Sequence, residues 1–182
     1  MNYNAFSKTL LNIYNSLDAV CERMDKMVEN KAMAGALGFG GGKNSLELFN
    51  NLIDLSQRKI NLINLKIRIE NALASLKEKQ AKVLILKFID GLTFKQIASL
   101  TGQSLRNCFR VYEQGLSSFS KLIKLDGLTE ERIEGTYADE KWIFQIYDRE
   151  LVTKKDESQV CKAPYISGRD IARIASKKVI AF

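Results

Sequence analysis

Residues 76–125, LKEKQAKVLILKFIDGLTFKQIASLTGQSLRNCFRVYEQGLSSFSKLIKL, decide the fold. They read as three helices with two short breaks. The first is expected over Glu78–Asp90, with Val83, Leu84, Leu86 and Phe88 as core candidates and Gly91 placed to end it. Thr93-Phe94-Lys95-Gln96 has the form of a capping box, in which Thr93 caps a second helix and Gln96 reaches back to it. That helix covers Phe94–Leu100, two turns, and stops at Thr101-Gly102-Gln103, where Gly102 can take the positive φ of a tight turn. Ser104 then caps a longer helix running to about Lys121. A two-turn helix, a glycine turn and a longer capped helix make a helix-turn-helix.

The side chains fit that layout. Ile97 and Ala98 face inward, with Ala98 small enough for two helices to cross closely. On the third helix Leu105, Cys108, Tyr112 and Leu116 form an inward stripe. The opposite face carries Arg106, Asn107 and Arg110, whose side chains suit base edges and phosphates: arginine is bidentate to guanine, asparagine to adenine. The candidate DNA-contacting residues are Lys95, Gln103, Ser104, Arg106, Asn107, Arg110 and Lys121, with helix 104–121 entering the major groove. Residues 79–125 hold eight Lys/Arg against two Asp/Glu, a net +6 within a chain of net +7. This is where phosphate binding needs the excess.

The run AKVLILKFIDGLTFKQIASLTGQS, residues 81–104, resembles region four of bacterial sigma factors. The long helical N-terminal half followed by this unit is similar to phage-type transcriptional regulators of the ArpU/RinA kind. By motif the resemblance covers about residues 79–121, and by layout about 1–125. It implies a regulator that reads promoter DNA and contacts RNA polymerase. The sequence departs from the pattern at Cys108, where a branched apolar residue is usual, and at Phe109, a large apolar residue at an outward position.

Upstream, Tyr3, Phe6, Leu10, Ile13, Leu17, Val20, Met24 and Met27 alternate by three and four residues, a heptad seam without a helix breaker before Gly35. A second long helix, capped by Asn44 or Ser45, reaches toward Lys77. It carries two apolar rows: Leu48, Leu52, Leu55, Leu62, Ile69, Leu73 and Leu76, and beside them Ile53, Ile60, Ile63 and Ile67. Such a doubled face implies more than one partner helix. The first helix folding back is one; a second subunit or the helix-turn-helix is the other. A homodimer through these N-terminal helices follows. Between them lies the glycine-rich connector 35–42. It is not a phosphate-binding loop: Leu37 stands where a P-loop has its first glycine, and Asn44 where it has Ser or Thr.

Residues 126–157 turn acidic, with ten Asp/Glu against five Lys/Arg. A short helix begins at Thr129, and Ala138–Leu151 presents Trp142, Ile143, Ile146 and Tyr147 as an apolar cluster. The segment from Val152 to Tyr165 reads as a loop. A last basic helix opens at Ser167, with Ile171, Ile174 and Ala175 on one side and Arg169, Arg173, Lys177 and Lys178 toward solvent.

The expected architecture is all-α: a coiled-coil-like hairpin over 1–78, the helix-turn-helix over 79–125, and a short helical segment over 126–182. With no histidine and three scattered cysteines (Cys21, Cys108 and Cys161), no metal, cofactor or disulfide scaffold is expected. No catalytic constellation stands out, so the chain is not read as an enzyme. A recombinase would need an arginine cluster, and the N-terminal half has only Arg23, Arg58 and Arg68. No signal peptide or membrane span is evident, which places the chain in the cytoplasm of a bacterial or phage-infected cell. Two alternatives keep the same fold. One is a DNA-recognition subunit like a phage small terminase, whose reader normally precedes its oligomerising helices, the reverse of this order. The other is a protein-only adaptor, against which the basic third helix counts.

Overall fold

A computed structural model of the protein describes residues 2–36 and 45–160, with the side chains of Glu130 and of residues 153–160 left undescribed. Among the described residues there are seven α-helices and no strand, the all-α architecture expected: α1 (Tyr3–Ala36), α2 (Ser45–Ala74), α3 (Glu78–Leu84), α4 (Phe94–Thr101), α5 (Leu105–Leu125), α6 (Glu130–Tyr137) and α7 (Lys141–Val160). The described residues divide between two units at Glu150–Leu151.

Within the first unit α1 and α2 lie antiparallel, as a heptad seam on one helix and an apolar row on the other require. Leu10, Ile13, Leu17 and Met24 of α1 and Leu62, Leu65, Ile69 and Leu73 of α2 are buried in one core. Ion pairs border the seam: Lys66 Nζ lies 2.7 Å from Asp18 Oδ2, and Lys59 pairs with Asp25. The heptad seam of α1 is therefore consumed inside the chain. At its upper end Val20 is only partly buried and Met27 is exposed.

The first three turns of α1 bury more than the heptad stripe. Ala5, Ser7, Thr9 and Leu11 are also inaccessible, because α5 and α7 cover the sides that α2 leaves open. Ser7 Oγ and Ser120 Oγ of α5 share a hydrogen bond of 2.7 Å, and Phe6 meets Tyr147 of α7 edge-to-face at 6.1 Å. The same core takes in Leu84, Phe119, Ile123, Leu128, Ile133, Tyr137 and Ile143. The acidic stretch is thereby built into the packing: apolar side chains of α6 and α7 face inward, and one carboxylate, Glu140, is buried with them.

Several boundaries differ from expectation. The glycine-rich connector was expected to begin at Gly35, but Gly35 and Ala36 continue α1, and residues 37–44 lie outside those described. The helix expected over Glu78–Asp90 is α only to Leu84. Over Ile85–Ile89 it widens into a π turn, with Asp90 N donating to Ile85 O at 3.1 Å and Leu92 N to Leu86 O at 2.9 Å. The Ile89 carbonyl at its end accepts from the Asn15 side-chain amide of α1 at 2.8 Å. α5 runs one turn past Lys121. Residues 152–160, expected as loop, are helical as part of α7, since nothing in that polar run breaks a helix before Pro164. The expected last basic helix after Ser167 lies outside the described residues.

The second apolar row of α2 departs most. Ile53, Ile60, Ile63 and Ile67 are 40–49 % exposed. The helix-turn-helix packs onto the row that already faces α1, so it does not cover them. No helix among the described residues is long and apolar enough to cross a membrane.

Candidate nucleic-acid interface

The helix-turn-helix is built from local capping. Thr93 N donates to Gln96 Oε1 at 2.9 Å and Gln96 N to Thr93 Oγ1 at 3.4 Å, the reciprocal capping box. α4 closes at Gly102, whose φ of 65° lets Gln103 N reach back to Ala98 O (3.1 Å) and Gly102 N to Ser99 O (3.4 Å), a Schellman ending. Ser104 Oγ accepts from Asn107 N at 3.3 Å and starts α5. These short-range bonds set the angle at which α5 leaves α4.

A small second core holds the unit rigid: Val83 of α3, Ile97 of α4, and Cys108 and Val111 of α5 are buried, with Ala98 and Tyr112 against them. Behind it α3 and α5 come close enough that a Cβ at Gly115 would lie 3.3 Å from Gln80 Cβ and 3.4 Å from Leu84 Cδ1. Leu105, expected inward, is 39 % exposed. A helical side chain leans over the turn N-terminal to it, and for Leu105 that is the Gly102–Gln103 connection instead of the α3–α4 core. The buried stripe begins one turn later, at Cys108.

The outward face of α5 presents the residues singled out in the sequence. Asn107 Nδ2 donates to Gln103 Oε1 at 2.9 Å, and Arg110 donates from a terminal nitrogen to Asn107 Oδ1 at 2.8 Å. Gln103, Asn107 and Arg110 thus form one chain of side chains across the first two turns. Arg106 is exposed beside it. Ser104 is exposed, its hydroxyl engaged in the cap. Lys121 lies on the same outward side but roughly 16 Å further along the axis than Arg110, from the 1.5 Å rise per residue. Lys95 is exposed in the first turn of α4. The fold therefore brings Gln103, Ser104, Arg106, Asn107 and Arg110 together and sets Lys121 apart.

Residues 66–116 match the family model for sigma-70, region 4. The match runs from the last turns of α2 through α3 and α4 to Leu116 within α5, less than a third of the chain. No curated protein and no solved structure matches the chain. The chain thus carries a region-4-like helix-turn-helix, the kind of unit found in DNA-binding regulators, joined to N-terminal helices that the match does not reach.

One element of this face escaped the sequence reading. Phe109, at its outward position, is only 43 % exposed because its ring rests 4.3 Å from that of Phe94, the first residue of α4. Phe94 meets Tyr112 edge-to-face at 5.1 Å, and Tyr112 stacks on Phe88 at 6.0 Å. Lys87 Nζ sits 5.1 Å from the Phe94 ring. The ladder of rings runs from the edge of the core to the surface of the region-4-like unit and ties α4 to α5. The signal was present in the sequence as four aromatic residues, but pairing them needs the α4–α5 crossing.

Proposed function

We propose that the protein is a sequence-specific DNA-binding transcription regulator that reads the major groove with helix 104–121. The observation that carries this reading is the hydrogen-bonded chain Gln103–Asn107–Arg110, with Arg106 beside it, on the outward face of a region-4-like helix-turn-helix. Side chains already held in place lose less freedom on binding, which favours specific contacts. Lys95 and Lys121 supply flanking phosphate contacts, and the net +6 of residues 79–125 supplies the non-specific attraction. The sigma-factor resemblance supports a second contact, with RNA polymerase. The order of long helices first and reader second supports a phage-type regulator of the ArpU/RinA kind, a homodimer through its N-terminal helices in a bacterial or phage-infected cytoplasm. It works by binding and carries out no catalysis.

Selection of bound sequences from random double-stranded DNA tests this. A two-part palindromic consensus is the expected result. Arg106→Ala or Asn107→Ala is expected to lose about 1–3 kcal/mol and relax preference at one base pair. Lys121→Ala is expected to weaken all sequences alike and lower the salt slope by about 1. If the footprint of the Arg106→Ala, Arg110→Ala double variant is unchanged, the assignment of α5 as reader is wrong.

A further inference from the structure

α2 has two apolar faces, and the described residues cover one. Leu55, Leu62, Leu65, Ile69 and Leu73 are buried, whereas Leu46, Phe49, Ile53, Ile60, Ile63 and Ile67 stay 40–63 % exposed. With Ser56 filling the one gap, the exposed row advances by alternating three and four residues from 46 to 67. That is a heptad a/d seam of three full repeats, roughly 32 Å long. It ends at Glu70, the next position of the register, whose carboxylate accepts from the Tyr14 hydroxyl at 2.8 Å. We propose that this row is the contact face for a second copy of the chain, α2 against α2. The proposal rests on the homodimer reading above and names its surface.

Three observations select a second copy over other occupants. The first is periodicity: a row repeating every 3.5 residues over so many turns is complementary to another long helix with the same repeat, and α2 itself is one. The second is area. Six side chains exposed by about half offer on the order of 600 Å² of surface, near the ~800 Å² per partner of a standard interface once flanking residues are added.

The third is charge. Asn50, Gln57, Asn64 and Asn71 line one flank, all uncharged. On the other flank Lys59 and Lys66 are each neutralised by Asp25 and Asp18 of α1. A face brought against its own copy by a two-fold axis meets itself, so unpaired charge would repel; the two flanks present none. A lipid surface or nucleic acid would instead require a basic rim. The face is thus neutral, apolar and self-complementary.

Sedimentation equilibrium on the full chain tests this, with circular dichroism to confirm helicity. The wild type is expected at twice the chain mass. Ile60→Lys combined with Ile67→Lys is expected to raise the dissociation constant by at least about a hundredfold with unchanged helix content, since both sites are exposed in the single chain. Should the charged pair fail to fold, the milder Ile60→Asn, Ile67→Asn pair decides the same point. A wild type that stays monomeric, or a dimer indifferent to both pairs, overturns the proposal. The Arg106→Ala, Arg110→Ala variant separates the two readings: it should remain dimeric while losing DNA. A dimer broken by Ile60→Lys, Ile67→Lys in a protein that selects no DNA sequence would leave the surface standing and remove only the reader.

Discussion

Replacing Arg58 by Met should destabilise the protein from a position outside the region-4-like unit. Glu140, just before α7, is 4 % exposed. Its Oε1 accepts from Arg58 Nε of α2 at 2.9 Å and lies 2.9 Å from the Arg58 NH2 nitrogen, while Oε2 accepts from the Trp142 indole at 2.8 Å. Removing one member of a buried ion pair costs about 3–5 kcal/mol, because the other charge stays buried. Arg58 is 34 % exposed, so water screens part of that attraction, and Trp142 still satisfies one oxygen. A loss of about 2 kcal/mol is therefore expected. For a unit of this size each kcal/mol moves Tm by roughly 2–4 °C, which gives a drop of about 4–8 °C. Glu140→Gln, which leaves no buried charge, should cost less than Arg58→Met. The Arg58→Met, Glu140→Leu double variant should recover much of the loss, as apolar replacement of a buried pair is close to neutral. Thermal unfolding followed by circular dichroism reads all three. A drop below about 1 °C for Arg58→Met, or a double variant less stable than the single, would show that α2 and α7 are not locked through this carboxylate.

Gly102→Ala forces an alanine into φ 65° with nothing within 4 Å of its Cβ, so the cost is purely of the backbone, about 1–2 kcal/mol; Gly102→Asn should cost less. An alanine variant as stable as the wild type in urea would contradict the left-handed ending of α4. Stability should also fall in alkali. Burial pushes the Tyr137 hydroxyl above its ordinary 10.0, the hydrogen bond to Glu70 does the same for Tyr14, and the hydrogen bond to Asp18 raises Lys66 above 10.5. In each case the unfolded chain gives up its proton first, so stability is complete below about pH 10 and drains as pH rises through the folded values. Tyr137→Phe should flatten that decline in urea titrations on either side of pH 10, and an unchanged slope would refute its share.

The helix-turn-helix was legible because its determinants are local. A capping box, a glycine ending and a serine cap are contacts between residues three to five apart, and they form wherever the sequence places them. The grouping of Arg106, Asn107 and Arg110 on one face followed from helical periodicity alone. Phe109 was visible only as an oddity, since the ring that shields it comes from the start of α4, fifteen positions earlier in the chain. Leu105 was misplaced because periodicity gives a direction around the helix axis and is silent on where the neighbouring helices end.

By itself, then, the sequence determined the all-α class, the two long N-terminal helices, and the start and stop of α4 and the start of α5, all through interactions that close within a turn or two. Only the tertiary structure decided which faces found partners. Leu17 and Met24 are spent on α2, Ser7 meets Ser120 across 113 residues, and the acidic segment sends Leu128, Tyr137 and Ile143 into the same core. Either apolar row of α2 satisfies the helical pattern equally well. Burial of the leucine row over the isoleucine row depends on where α1 and α5 arrive, and that is set by long-range packing, which no local period encodes.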